Sequence, residues 1–271
     1  MLRKTGLLDE PGLRLEDVRC ASDRTGWSSP EASTSYTVVF VRRGCFRRRV
    51  DGVEEVLDPA VVYFEQPGQE QQVAHPHDGG DACTVFVLSP GTVARIWGGD
   101  PGLPTDPLFS DPALDLQHRR LVGVSSSTDE FELAERAIRL LADVLERTHV
   151  ARVAAGRPPT VACRRRAVLA AREAIAANPR IGLLELAREV ALSPHHLSRV
   201  FSECTGEPVS RYRNRIRVRL ALDRLADGER SLSRLAADLG FADHAHLTRV
   251  VRSEVGHSPS RLRRLVSRPG L

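Results

Sequence analysis

Lysine is almost missing from this 271-residue chain. Lys4 is the only one, and every other basic residue among the 39 is arginine. A GC-rich genome, which also favours Ala, Gly and Pro, accounts for that bias. Its side effect is a surface suited to bidentate contacts with phosphate and guanine. Cysteine is sparse and scattered, at positions 20, 45, 83, 163 and 204, with no C-x-x-C pair. An odd number without paired spacing excludes a zinc ribbon and a disulfide framework and points to a reducing compartment. No apolar stretch reaches membrane-spanning length, and the N-terminus lacks the apolar core of a signal peptide. The expectation is a soluble, cytoplasmic protein with no membrane partner. There is no Gly-rich phosphate loop and no evident nucleophile–base constellation. No enzyme class, catalytic residue or cofactor is therefore indicated.

What is present is divided unevenly. Apolar residues make up 41% of the chain, enough for two domains of ordinary size. From residue 160 onward there are 21 Arg against 11 acids, a net of +10, while residues 1–159 carry a net of −6. The basic footprint of a nucleic-acid-binding domain thus sits in the C-terminal part. An acidic N-terminal part would itself repel DNA.

The C-terminal part contains a repeat. Leu197-Ser198-Arg199-Val200-Phe201 matches Leu247-Thr248-Arg249-Val250-Val251. Gly206, Ser210-Arg211 and Arg213 match Gly256, Ser260-Arg261 and Arg263 at the same offset, and Leu186-Ala187 matches Leu235-Ala236 one residue short of it. Each copy predicts a helix-turn-helix. In the first, Leu183, Leu186, Ala187 and Val190 fall on one face of a short helix. Ala191-Leu192 makes the turn. Ser193 sits at the N-cap of the next helix, with Pro194 at its first position, where a missing N–H costs nothing. That helix ends near Gly206, with Leu197, Val200 and Phe201 inward. In the second copy Leu232, Leu235, Ala236 and Leu239 make the first face and Gly240-Phe241 the turn. Asp243 is the cap, and Leu247, Val250 and Val251 point inward. Between the copies, Pro208 to Ala226 predicts one continuous helix of about 28 Å at 1.5 Å per residue. Its run Arg211, Arg213, Arg215, Arg217, Arg219 spreads charge around the helix, part of it as a solvated face. A single copy of this pattern is often a plain helical hairpin; two copies with matched caps and outward arginines favour DNA binding.

These residues resemble the AraC/XylS family of bacterial transcription regulators over about 165–266. The resemblance implies a seven-helix domain that inserts both second helices into adjacent major grooves of double-stranded DNA. By position it assigns base contacts to His195, Ser198 and Arg199 in the first unit and to His244, Ala245, Thr248 and Arg249 in the second. It also implies contact with RNA polymerase. The chain departs from the pattern at Ala191, where Gly is usual, at Ala242, where a small polar residue is usual, and at Val251, where an aromatic is usual. These touch turn, cap and core quality, chiefly in the second unit.

Residues 13–98 predict β-structure. Tyr36–Val41 and Cys83–Leu88 are β-branched and aromatic runs, Ala60–Phe64 reads as a buried strand stopped by Pro67-Gly68, and Val50-Asp51-Gly52-Val53 is a hairpin signal. Such strands suit a small barrel or sandwich. The stretch from Phe40 to Pro90 resembles the cupin-like sensor domains that accompany AraC-type DNA-binding domains. This implies a cupin-like β-barrel and a small-molecule effector within it. His75-Pro76-His77 with Asp81 is a weak echo of a cupin metal run. Pro76 and Gly79-Gly80 look like turn chemistry, and the next histidine, His118, lies in a different region, so no metal is expected. Cys45 and Cys83 suit small core positions.

Residues 129–155 predict a long helix whose Phe131, Ala134, Ile138, Leu141 and Leu145 form a seam of heptad spacing. It either packs on the barrel or pairs with a second subunit, as helices after the barrel do in the resembled family, giving a homodimer. Gly156-Arg157-Pro158-Pro159 breaks the helix and marks a linker. The predicted organisation is α+β in two domains. Residues 1–157 form a cupin-like sensor and dimerisation domain, and residues 158–271 an all-α domain with two helix-turn-helix units joined by a linker helix. The leading function is a transcriptional regulator. The alternatives are a metal-dependent cupin enzyme fused to a DNA-binding domain and an architectural DNA-binding protein without effector.

Overall fold

The computed structural model describes residues 2–21, 25–76, 80–97, 102–125, 129–154 and 162–266, without the side chains at 97, 149–154, 162–165 and 266. His77 and the linker at 156–159 lie outside the described residues. Two compact units divide the chain, one within Met1–Gly156 and the other within Arg157–Arg264. The first holds β1 (Leu2–Glu10), β2 (Leu13–Cys20), β3 (Glu31–Ala32), β4 (Tyr36–Arg43), β5 (Phe46–Val50), β6 (Val53–Leu57), β7 (Val61–Glu65), β8 (Glu70–Ala74), β9 (Asp81–Leu88), α1 (Pro90–Trp97), β10 (Leu108–Phe109), α2 (Pro112–Val124) and α3 (Glu130–Ala154).

Its strands form two antiparallel sheets, in the orders β1-β2-β9-β4-β7-β10 and β3-β8-β5-β6. Of the two architectures that short strands allow, the described residues show facing sheets, with no closed barrel among them. The period-2 alternation of side chains explains the layering. On β4, Val38 and Phe40 enter a core shared with Val93, Leu114, Leu121, Leu133 and Leu140 of the helices, while Val39 and Val41 enter a second core shared with Phe46 and Leu57 of the smaller sheet. The larger sheet is therefore covered on both faces, and β4 reads as a continuous apolar run for that reason. The hairpin predicted at Asp51-Gly52 is present, with positive φ at both residues (48° and 78°), the requirement of a type I′ turn. Arg48 is buried between the sheets. It donates to Phe64 O at 2.9 Å and to Glu55 Oε2 at 3.0 Å, and its guanidinium lies over the Tyr63 ring.

The strand β1 and the helices α1 and α2 were not foreseen from sequence, and the predicted seam of α3 is corrected. Leu133, Ala137, Leu140, Leu141 and Val144 make the buried face of α3 against the sheet. Leu141 is fully buried there, whereas Phe131 is 77% and Ile138 46% exposed. The five heptad positions do not form one interface, because the broader face one residue out of step wins the sheet.

The second unit holds α4 (Ala162–Ala177), α5 (Leu183–Glu189), α6 (Pro194–Thr205), α7 (Val209–Ala226), α8 (Leu232–Leu239), α9 (His244–Val255) and α10 (Pro259–Val266). The helix α7 touches α4, α6, α8 and α9.

Truncating Leu140 to Ala in the α3–sheet core should cost about 2–5 kcal/mol in urea unfolding, the range for buried leucines. A loss below 1 kcal/mol would show that α3 does not close this face.

Candidate nucleic-acid interface

The two helix pairs repeat each other down to single backbone bonds. After α5 the chain turns through Ala191, and Leu192 N donates to Ala187 O at 2.9 Å. After α8 it turns through Gly240, and Phe241 N donates to Ala236 O at 2.9 Å. Ser193 Oγ accepts from His196 N at 3.2 Å and caps α6, with Pro194 opening the helix. Asp243 Oδ1 accepts from His246 N at 2.6 Å and caps α9. Gly206 and Gly256, at φ 77° and 74°, end the two helices by donating to Ser202 O and Arg252 O. Each cap pairs backbone groups that a helix end leaves unsatisfied.

The inner faces are narrower than predicted. Leu197, Val200 and Phe201 of α6 are buried, as are Leu247 and Val251 of α9, but Val250 is only partly so. In the seven-residue α5, Leu186 and Ala187 are buried while Leu183 is exposed. The residues expected to contact bases lie on the outer faces. His195 and Arg199 of α6 are exposed and Ser198 half-buried between them; His244, Ala245 and Arg249 of α9 are exposed and Thr248 half-buried. His195, Ser198 and Arg199 correspond to Ala245, Thr248 and Arg249, so each helix presents one arginine at the same place. The Thr248 hydroxyl donates to His244 O at 2.8 Å, which orients its methyl and lone pairs. Arg199 Nε is 3.9 Å from Glu203 Oε1 across an exposed helix turn. Such a pair is worth a few tenths of a kcal/mol, little enough for a DNA phosphate or guanine to displace it.

The linker helix α7 is continuous over 18 residues, about 27 Å at 1.5 Å per residue. Successive major-groove faces are roughly 34 Å apart. Its arginines are solvated in part, as their alternation suggests, but the burial is deeper toward the C-terminal end of the run. Arg217 and Arg219 are buried and Arg213 and Arg215 half-buried; Arg211 alone of the five is exposed. Arg213 Nη1 donates to Ile181 O and Arg217 Nε to Pro179 O, both at 2.6 Å, and Arg215 pairs with Glu207. The Arg217 guanidinium also lies 5.5 Å from the centre of the Phe241 ring. Burial, with the nearby Arg213 charge second, lowers the Arg217 pKa to about 10, so it stays charged at neutral pH. Sequence reasoning missed these clamps. The available signal was that α7 has apolar residues on nearly all sides, as a helix buried all round must.

The absence of an aromatic at Val251 has a visible consequence. Phe201, its counterpart, meets Tyr212 edge-on at 5.1 Å, and Arg172 Nε donates to the Tyr212 hydroxyl at 3.1 Å. Val251 and Leu262, the matching positions, are buried without such a ring pair.

Residues 186–265 match the family profile described as a helix-turn-helix domain. This segment is therefore a helix-turn-helix domain, and it spans the end of α5 and the whole of α6 to α9. The chain is 39% identical over 85 residues to the HTH-type transcriptional regulator Rv1931c of Mycobacterium tuberculosis, a match spanning 31% of this chain and 32% of that relative. The chain thus covers about a third of that relative's length. Among solved structures, it is similar to apo ToxT from Vibrio cholerae, at 12% identity and a TM-score of 0.39, over 96% of this chain and all of the other. It is also similar to an AraC-type regulator from Chromobacterium violaceum, at 22% identity and a TM-score of 0.37, over 39% of this chain and 96% of the other. No helix among the described residues is long and apolar enough to cross a membrane.

Ala191 and Gly240 occupy the same turn position, both at positive φ (55° and 76°). Ala pays a left-handed penalty there that Gly avoids. Ala191→Gly should therefore stabilise the domain by about 1 kcal/mol in chemical unfolding. Gly240→Ala should destabilise it, since an added Cβ would sit 2.9 Å from Arg180 Cγ and 3.1 Å from Arg180 Cα. Equal, small effects would mean that the turns are not equivalent.

Backbone N–H donation from His246 is the main cause that holds the Asp243 carboxyl below the usual range. Its capping contribution is present above the unfolded carboxylate pKa of about 3.9 and is lost as pH falls through the lower folded value. Asp243→Ser, a cap that does not titrate, should flatten the fall in thermal midpoint below about pH 4. An unchanged acid slope would assign that fall to other carboxylates.

Proposed function

We propose that the chain is a sequence-specific DNA-binding transcriptional regulator of the AraC/XylS type, which reads two adjacent major-groove segments with α6 and α9. The observation that carries this is the duplicated, capped helix pair with an exposed arginine at the same place in each copy. The clamped α7 supports it, because it gives the two reading helices a common rigid support. His195, Ser198 and Arg199 face one segment; His244, Ala245, Thr248 and Arg249 face the next. The working division is a sensor and dimerisation domain at 1–157 and a DNA-binding domain at 158–271. The cupin-like character of the first, its small-molecule effector, and contact of the regulator with RNA polymerase rest on the resemblance of the sequence. Action within the cytoplasm follows from DNA as the partner. We read the protein as a non-enzyme.

The exposed Phe131 and Ile138 favour a homodimer through the outer face of α3, with Leu145 and Ala134 beside them half-buried. Two large apolar side chains in solvent on one helix gain by pairing with a second copy.

Arg199→Ala should relax base preference at one end of the operator at a cost of roughly 1–3 kcal/mol, as for loss of a bidentate guanine contact. Arg249→Ala should do the same about one helical turn away. Selection of bound sequences with the full chain and each variant checks this. Equal weakening on all sequences would assign both arginines to phosphate. Phe131→Glu with Ile138→Glu should give a folded monomer in sedimentation at micromolar concentration. Wild-type protein already monomeric under those conditions removes the α3 interface.

A further inference from the structure

The cupin-like His-x-His pattern was set aside on sequence grounds for want of a further histidine. His118 does not supply it: its ring stacks on Phe40, on the helix-covered face of the larger sheet. The group that does arrive beside His75 is a cysteine. Cys20, His75 and Asp81 each offer one ligand atom, and the three atoms lie within 4.8 Å of one another.

The backbone builds this cluster from three directions. Cys20 ends β2 and is the register partner of Asp81, which opens β9. Directly opposed residues on neighbouring strands carry their side chains on one face. That face is the one bearing Cys83, turned toward the smaller sheet. His75 follows β8 of the smaller sheet and packs against Phe46. The strand ends are pressed together where only glycine fits. A Cβ on Gly80 would meet Cys20 O at 1.9 Å, and one on Gly44 would meet Gly80 O at 2.3 Å. The ligand atoms are therefore fixed by close backbone packing. His75 Nε2 and Asp81 Oδ2 are 2.7 Å apart, and their side chains are only 11% and 7% exposed. Cys83 Sγ donates to Asp81 Oδ1 at 3.4 Å. This contact holds the Asp81 carboxylate at its second oxygen.

We propose that Cys20 Sγ, His75 Nε2 and Asp81 Oδ2 bind a thiophilic divalent cation of the zinc class at the rim between the two sheets. Thiolate, imidazole and carboxylate suit zinc, whereas magnesium and calcium take oxygen ligands. Tetrahedral bonds of 2.0–2.3 Å place ligand atoms roughly 3.3–3.8 Å apart, so the His75–Asp81 pair opens by about 0.6 Å as the ion enters. Three protein ligands leave a fourth position for water or a small ligand. Cys83 acts through Asp81, as outer partners of metal ligands do. The ion links the larger sheet, through Cys20 and Asp81, to the smaller one, through His75.

The test uses the full-length, reduced, chelator-stripped protein titrated with cobalt(II) and zinc. One equivalent of cobalt should give thiolate-to-metal charge-transfer absorption and intense tetrahedral d–d bands, both bleached by zinc. Cys20→Ser should abolish the charge-transfer band. His75→Gln and Asp81→Asn should each weaken zinc at least about tenfold, the lower end of what even an outer partner of a ligand is worth. Cys204→Ser, exposed in the second unit, should leave the spectrum unchanged. Wild-type cobalt spectra without a thiolate band would overturn the site, whatever the variants do. So would zinc affinity unchanged in folded Cys20→Ser and His75→Gln, which would place the metal on other histidines.

Discussion

The second unit depends on burying a helix that carries six arginines. A guanidinium removed from water costs several kcal/mol unless it is paired. In α7 three of them are anchored to fixed oxygens: Arg213 and Arg217 to the carbonyls of Ile181 and Pro179, which precede α5, and Arg215 to Glu207, just after α6. At the other end Arg224 reaches Asp238 of α8 at 2.7 Å and Glu229 at 2.9 Å. The same side chains that would be a loose cationic surface on an isolated helix thus become ties to both helix pairs. The spacing of α6 and α9 is then a property of a rigid rod and not of a loop.

This arrangement separates the arginines that tie helices together from those left exposed on α6 and α9. Arg199 and Arg249 are exposed, and the contact of Arg199 with Glu203 is a weak exposed pair. Their availability follows from the neighbouring inner faces. Leu197, Val200 and Phe201 fix the rotation of α6, and Leu247 and Val251 that of α9. The ring pair Phe201–Tyr212 gives the first helix pair a contact for which the second pair has only Val251 and Leu262. That advantage of the first helix pair is offset by its Ala191 at positive φ, where the second pair has Gly240.

In the first unit the governing constraint is coverage of the larger sheet on both faces. Helix packing takes one side of each strand and the smaller sheet takes the other. That arrangement consumes the inner face of α3 and leaves Phe131 and Ile138 outside. It also brings the end of β8 against the ends of β2 and β9, so that Cys20, distant in the chain, becomes a neighbour of His75 and Asp81.

Local signals in the sequence determined the helix-turn-helix pairs, their caps at Ser193 and Asp243, their ends at Gly206 and Gly256, the continuous α7 and the hairpin at Asp51-Gly52. Each rests on interactions within about five residues, so no distant partner was needed to read it. The outward positions of His195, Arg199, His244 and Arg249 followed from the same helical period. Only the tertiary structure decided which α7 arginines are buried, because alternation along a helix says nothing about what surrounds it. It alone chose between two overlapping apolar faces of α3, since both satisfied helical spacing and only the sheet distinguished them. It alone joined Cys20 to His75 and Asp81, because strand register brings together residues that no spacing along the chain relates.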